Sequence, residues 1–355
     1  MPLLFCRLRT HQWCFLLFNV ILFHALLFGA DFMEEYLLQS SPTTYADAQT
    51  LDIRERARKL DMSSFKRNIS RFFRIGNTGA CGDSDLFLLG VVSSNAENRT
   101  RREIIRMTWA NVTKVQGYRV MTLFAIGIPQ TLAIQDDINK EFATHQDIIQ
   151  GTFLDSPSNG IHKTIMVMRW VVTFCPKALF ILKSDEETFV NYKSLMEYLL
   201  GLKRHAEDLY IGRVYHQILP IRDPLSKYYM PVSHYSEKFY PDYCSATALV
   251  ISQDVARKIF VVSLTMDNSM PEDVYVGICA KKAGVVPIHS SRFSGEKHIR
   301  FNRCCYNFIF SSFGMTDEEL ARAWEEIMDS RNCAMFETYY GLIKCKALTY
   351  LDKLA

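Results

Sequence analysis

Short apolar runs of strand type alternate with helix-length stretches from residue 86 onward, and this alternation restricts the chain to parallel βαβ units. Residues 86–92, 120–126, 147–150 and 178–182 read as strands; residues 101–109, 132–142 and 163–174 read as helices. The expected fold class is α/β, a mixed and mostly parallel sheet flanked by helices. In open sheets of this kind, ligands bind beyond the carboxyl ends of the strands. The run 178–182 leads directly into Lys183-Ser184-Asp185-Glu186-Glu187, so its acids stand where a ligand is expected. No GxGxxG loop is present, which weighs against a nicotinamide enzyme.

The chain has 355 residues, enough for one large domain or two medium ones. A net charge of +3 with scattered basic residues gives nucleic-acid binding little support. The exception is a basic run over residues 54–74, which reads as a solvated or membrane-proximal segment. Residues 13–30 are almost unbroken in their apolarity, with Asn19 and His24 as the interruptions. A transmembrane helix needs about 17–25 such residues. Arg7, Arg9 and His11 precede the run, and Asp31, Glu34 and Glu35 follow it, so the N-terminus is expected on the cytosolic side. An uncleaved signal anchor fits better than a cleaved signal peptide, because the run is long and no Ala-x-Ala site ends it. The expected organisation is a cytosolic tail over 1–12, an anchor over 13–30, a stem or linker over 31–82 and a lumenal domain over 83–355. Eight of the ten cysteines follow the run, and in an oxidising compartment they are expected to form disulfides. Sequons at Asn68, Asn98 and Asn111 are candidate glycosylation sites.

Two acidic clusters carry the candidate chemistry. Alternate carboxylates at Asp185 and Glu187 can converge on one divalent cation, which prefers oxygen ligands and can hold a diphosphate. A turn of solvated acids is the plainer reading. Glu272-Asp273 follow Pro271 and open a helical stretch. They can cap that helix, whose N-terminus favours an ionised carboxylate, and one of them can serve as a general base. Arg102 and Arg106 lie four apart on one helix face, where guanidinium groups meet either a diphosphate or a carboxylate. Trp109, Trp170, Tyr240 and Tyr243 read as core or pocket wall.

The order of motifs resembles the β-1,3-galactosyltransferase and N-acetylglucosaminyltransferase family, glycosyltransferase family 31, to which Fringe is related. The likeness runs from residue 86 to 324. It rests on Arg102-Glu103-Ile104-Ile105-Arg106-Met107-Thr108-Trp109, on Asp147 to Ser156 with Asn159 and Lys163-Thr164, on Lys183 to Asn191, on Tyr240-Pro241-Asp242-Tyr243-Cys244-Ser245, and on Glu272-Asp273-Val274-Tyr275-Val276-Gly277. The resemblance implies a GT-A fold, a UDP-sugar donor, a glycan acceptor on protein or lipid, manganese, inversion to a β-1,3 linkage, and a type II Golgi membrane protein. By position it implies Asp273 as base with Glu272 as the fallback, Asp185 and Glu187 at the metal, and Arg102, Arg106, Lys183 and Asp185 at the donor.

The chain departs from the family pattern at five places. The family's aspartate triplet is Asp185-Glu186-Glu187 here; the glycines after the Tyr-Pro-x-Tyr motif are Ala246 and Ala248, followed by Leu249 where the family has an aromatic residue. The histidine expected eleven residues before Trp324 is Phe313, with His298 as a substitute elsewhere in the sequence. The rival to an active transferase is a catalytically silent relative acting as a lectin-like or chaperone-like partner.

Overall fold

The computed structural model describes residues 10–32, 47–82, 85–202, 207–226, 229–268, 270–328 and 333–351. The tail residues 1–9 and the stem residues 33–46 lie outside the described residues. Helix Thr10–Phe32 carries the apolar run, and by length and composition residues 12–29 are a candidate membrane span.

The strands are β1 (Phe73–Ile75), β2 (Leu86–Ser93), β3 (Lys114–Val115), β4 (Tyr118–Ile128), β5 (Ile148–Leu154), β6 (Ala178–Asp185), β7 (Phe189–Val190), β8 (Tyr210–Tyr215), β9 (Tyr243–Ser252), β10 (Ile288–His289) and β11 (Ser311–Ser312). The main sheet runs β1-β5-β4-β2-β6-β9-β8-β10, with β3 beside β4. Its centre, β5-β4-β2-β6, is parallel, and β9 enters antiparallel between β6 and β8. Both β2 and β6 are buried along nearly their whole length, as strands covered on two faces must be.

The two sides of β2 divide the core. Leu89 and Val91 pack with Val167, Trp170 and Ile259 from helices Gly160–Phe174 and Gln253–Ser263. Leu88 and Val92 pack with Ile105, Trp109 and Leu195 on the other side. Alternate residues of a strand face opposite ways, so one apolar run serves two helical layers.

The segment 47–82, expected as part of a stem or linker, is folded on to the domain. Helix Ala48–Arg58 buries Ile53 and Ala57, β1 pairs with β5, and Cys81 is bonded to Cys175. Within the basic run, Arg54 spans Asp208 at 3.0 Å and the carbonyls of Ala283 and Gly284, each at 3.0 Å, behind the helix Glu272–Lys282. Its charge therefore serves packing. The low hydropathy of this segment hid its few large anchors, Met62, Phe73 and Ile75. Two more disulfides join Cys304 to Cys333 and Cys305 to Cys345; Cys244 and Cys279 are buried free thiols.

Candidate active site

The carboxyl ends of β2, β5 and β6 converge on a rim formed by Ser94, Asp155 and Asp185-Glu186-Glu187. Register places Ser93 opposite Asp185 across β2 and β6. Asp185 is half-buried and accepts a hydrogen bond from the Thr188 hydroxyl. Burial pushes its carboxyl up to about 7, and the charge of Glu187 adds to the rise. Glu187 is exposed.

Glu186 faces elsewhere. Its carboxylate accepts from the Ser94 hydroxyl at 2.5 Å, the Asn95 backbone N–H at 3.2 Å and the Asn98 amide at 2.6 Å. The middle acid is thus an anchor to the loop after β2, while its two neighbours remain for a ligand. Asn98, a candidate glycosylation site, is exposed but spends its amide on this contact; Asn68 and Asn111 are exposed too.

The second acidic cluster is brought to the first by Lys183. Its ammonium lies 2.5 Å from a Glu272 carboxylate oxygen, and the Thr164 hydroxyl donates to the same oxygen. Lys183 is buried, so the expected donor contact is replaced by this ion pair. A methyl group at Gly160 would lie 2.7 Å from the other Glu272 oxygen, so Glu272 is packed as well as paired. Glu272 is therefore a poor base, and the fallback assignment is corrected. Asp273, its neighbour, accepts only from the next backbone N–H, that of Val274 at 2.9 Å, among the bonds of the described residues. Burial, with the charges of Glu272 and Glu296, pushes the Asp273 carboxyl up to about 6, against the hydrogen bond from Val274. The expectation that the helix N-terminus holds it low is overturned by desolvation.

An aromatic wall stands beside Asp273. Tyr240 and Tyr243 cluster with Met230, Val274 and Ile278, and the Tyr215 and Tyr243 rings lie 5.7 Å apart. At Gly277 a methyl group would overlap the Tyr243 Cβ, so helix Glu272–Lys282 meets the start of β9 backbone to side chain. Glu296, which sequence reasoning missed, follows Gly295 at φ 59°; a methyl group there would lie 3.2 Å from the Tyr215 hydroxyl. No residue spacing pointed to Glu296.

Of the two partners open to Arg102 and Arg106, the structure shows carboxylates. Arg102 is fully buried, bonded to both Glu141 oxygens at 2.8 and 2.7 Å and to the Asn95 carbonyl at 2.6 Å. Arg106 pairs with Asp147 at 2.7 Å and Glu141 at 2.6 Å, at the amino end of β5 and away from the rim. Both guanidinium groups are taken up by these carboxylates, and their assignment as donor contacts is corrected: Arg102 supports the loop after β2, and Arg106 ties its helix to Glu141 and Asp147. Asp155 and Lys163, present in the motifs but given no role, pair at 2.9 Å; Asp155 also accepts from the Ala96 and Gly127 N–H groups, each at 2.9 Å. Their signal was the end of β5, read four residues too short.

Phe313 lies next to the acidic rim. β11 pairs with β7, and the Met315 N–H reaches the Glu187 carbonyl at 3.3 Å. His298 Nδ1 is 3.2 Å from the Phe313 carbonyl oxygen, and its Nε2 lies 3.5 Å from Glu319. The imidazole is thus near the departed position but engaged with other groups. The donor set at the rim is two carboxylates. That suits a hard divalent cation that draws its remaining ligands from phosphate oxygens and water. The unfavourable proximity of Asp185 and Glu187 is what such a charge offsets.

A family model described as galactosyltransferase matches residues 100–291. Human "Beta-1,3-galactosyltransferase 9" is 55% identical over 99% of this chain and 95% of its own. The "Lactosylceramide 1,3-N-acetyl-beta-D-glucosaminyltransferase" of Rattus norvegicus is 36% identical over 78% of this chain and 75% of its own. The human protein of that name is also 36% identical, over the same shares.

Proposed function

The chain belongs to the galactosyltransferase family, and from that premise we propose how its site works. The protein is a glycosyltransferase that forms β-1,3 linkages. The proposed reaction moves a hexose or N-acetylhexosamine from a UDP-sugar to a glycan on protein or lipid, with inversion. Galactose is the favoured donor sugar over N-acetylglucosamine, on the name of the relative that is 55% identical. The proposed fold is GT-A, and the proposed setting is the Golgi membrane, single-pass type II, with the catalytic domain in the lumen.

One observation carries the mechanism: the Lys183–Glu272 pair at 2.5 Å ties the strand that ends in Asp185 to the helix that opens with Glu272-Asp273. In this reading the pair holds the donor-side and acceptor-side acids on adjoining elements. Asp273 takes the proton of the acceptor hydroxyl as its oxygen attacks the anomeric carbon. The bond from that carbon to the diphosphate breaks on the opposite face, and UDP leaves with the electron pair. Asp185 and Glu187 would hold a divalent cation, manganese in this reading, which supplies charge stabilisation to the departing diphosphate. Tyr240 and Tyr243 give the acceptor sugar an apolar wall beside the base. Glu272, locked by Lys183 and Thr164, sets the base in place.

The test is transfer from UDP-galactose and UDP-N-acetylglucosamine to β-1,3 acceptors by the purified enzyme with manganese. Transfer supports the reading. UDP binding without any transfer or hydrolysis overturns it and leaves the silent relative.

A further inference from the structure

The acidic rim is held from behind by an arginine to which no role in the reaction has been given. Arg101 donates from Nε to the Glu186 carbonyl at 2.7 Å and from Nη2 to the Met315 carbonyl at 2.8 Å. Its Nη1 meets Asp317 at 2.5 Å. All three partners flank the ligand-bearing positions: Glu186 lies between Asp185 and Glu187, and Met315 to Asp317 follow Phe313. The side chain is only 11% exposed, so water competes little for these bonds. The Glu186 carboxylate closes the same knot from the other side through Ser94, Asn95 and Asn98. A glutamate there reaches one methylene further than aspartate, which is the reach these three contacts use.

We propose that Arg101 and Glu186 are positioning residues for the donor: together they fix the backbone of Asp185 to Glu187 against the segment 313–317 and so set where the Glu187 carboxylate points. This rests on the reading that Asp185 and Glu187 bind the cation and diphosphate. The clamp offsets what the rim lacks. With carbon at Phe313, the proposed ligand set is two carboxylates, and these must be held in register. Supporting groups behind ligands of this kind are typically worth about 10–100-fold in metal affinity or activity.

Calorimetry with UDP on the full chain, with and without manganese, tests the clamp, using Arg101→Lys, Asp317→Asn and Glu186→Asp. Arg101→Lys keeps the charge but at most one of the three bonds. It is expected to weaken manganese-dependent UDP binding about 10-fold or more, while metal-free UDP binding and the KM for acceptor stay near wild type. Asp317→Asn removes the charge of a half-exposed partner while keeping an acceptor oxygen, and serves as the variant safest for folding; its loss is expected to be smaller and in the same direction. Glu186→Asp, although it restores the family residue, is expected to lose affinity. Unchanged UDP affinity in all three, or the same loss with and without manganese, overturns the clamp. Failure of the wild type to transfer sugar would instead count against the proposed reaction, since UDP affinity reads the clamp without turnover.

Discussion

The ammonium of Lys183 and the carboxylate of Glu272 meet at 2.5 Å, with Lys183 buried and Glu272 only a quarter exposed. Removing one partner of such a pair strands the other charge. Lys183→Met is therefore expected to cost about 3 kcal/mol, the low end for a buried pair because Glu272 keeps some water. Denaturant titration of the purified protein measures this. The double variant Lys183→Met with Glu272→Gln should recover much of the loss; a loss equal to the sum of the single changes would show that the two side chains do not interact.

Asp273 gives a prediction in pH. Its carboxyl is raised from the ordinary 3.8 to about 6 by burial and by Glu272 and Glu296. The base must be ionised, so kcat/KM should rise about tenfold per unit up to pH 6 and then level. The stability sign is opposite. The folded state holds this proton more tightly than the unfolded chain, so the contribution is present below pH 3.8 and lost as pH rises through 6. Asp273→Asn should then lose about 10²–10⁴-fold in transfer and melt no lower than wild type at pH 7. A lowered melting temperature with transfer retained would make the acid a helix cap.

Glu187 and Phe313 test the proposed cation site. Glu187→Ala should abolish manganese-dependent UDP binding, and Glu187→Asp should keep it. Phe313→His adds an imidazole beside the Glu187 loop, which Met315 already touches at 3.3 Å. It should tighten manganese-dependent UDP binding if position 313 faces the cation. Identical isotherms for wild type and Phe313→His would place that residue outside the metal sphere.

Glycan mapping separates the sequons. All three sequon asparagines are exposed, but the Asn98 amide is bonded to the Glu186 carboxylate at the rim, at 2.6 Å, and the Asn68 amide only to the Ser64 carbonyl of its own helix, at 3.2 Å. Carbohydrate is expected on Asn111 or Asn68, with Asn98 bare in the active enzyme. Mass spectrometry of glycopeptides would settle occupancy, and full occupancy at Asn98 in an active preparation would contradict the contact.

The sheet was legible because β2, β4 and β6 are continuous apolar runs, and the rim because acids directly follow β6. Less legible was anything fixed by partners distant in sequence. Arg102 and Arg106 looked like anion binders because their spacing is visible in sequence and their acceptors, Glu141 and Asp147, are not. Asp273 ranked above Glu272 only by its position in the motif; Lys183 and Thr164 supply the physical reason. The segment 47–82 reads as linker because its anchors are few and widely spaced, yet each fills a core position.

The close approach of Gly277 to Tyr243 leaves no room for a side chain between the tyrosine cluster and the helix that carries Asp273. Met230 and Tyr235, from the segment before β9, pack on the same cluster. Transplanting residues 216–239 from a relative, with Gly277 and Tyr243 untouched, is thus the route by which acceptor choice can be re-engineered without retuning proton transfer.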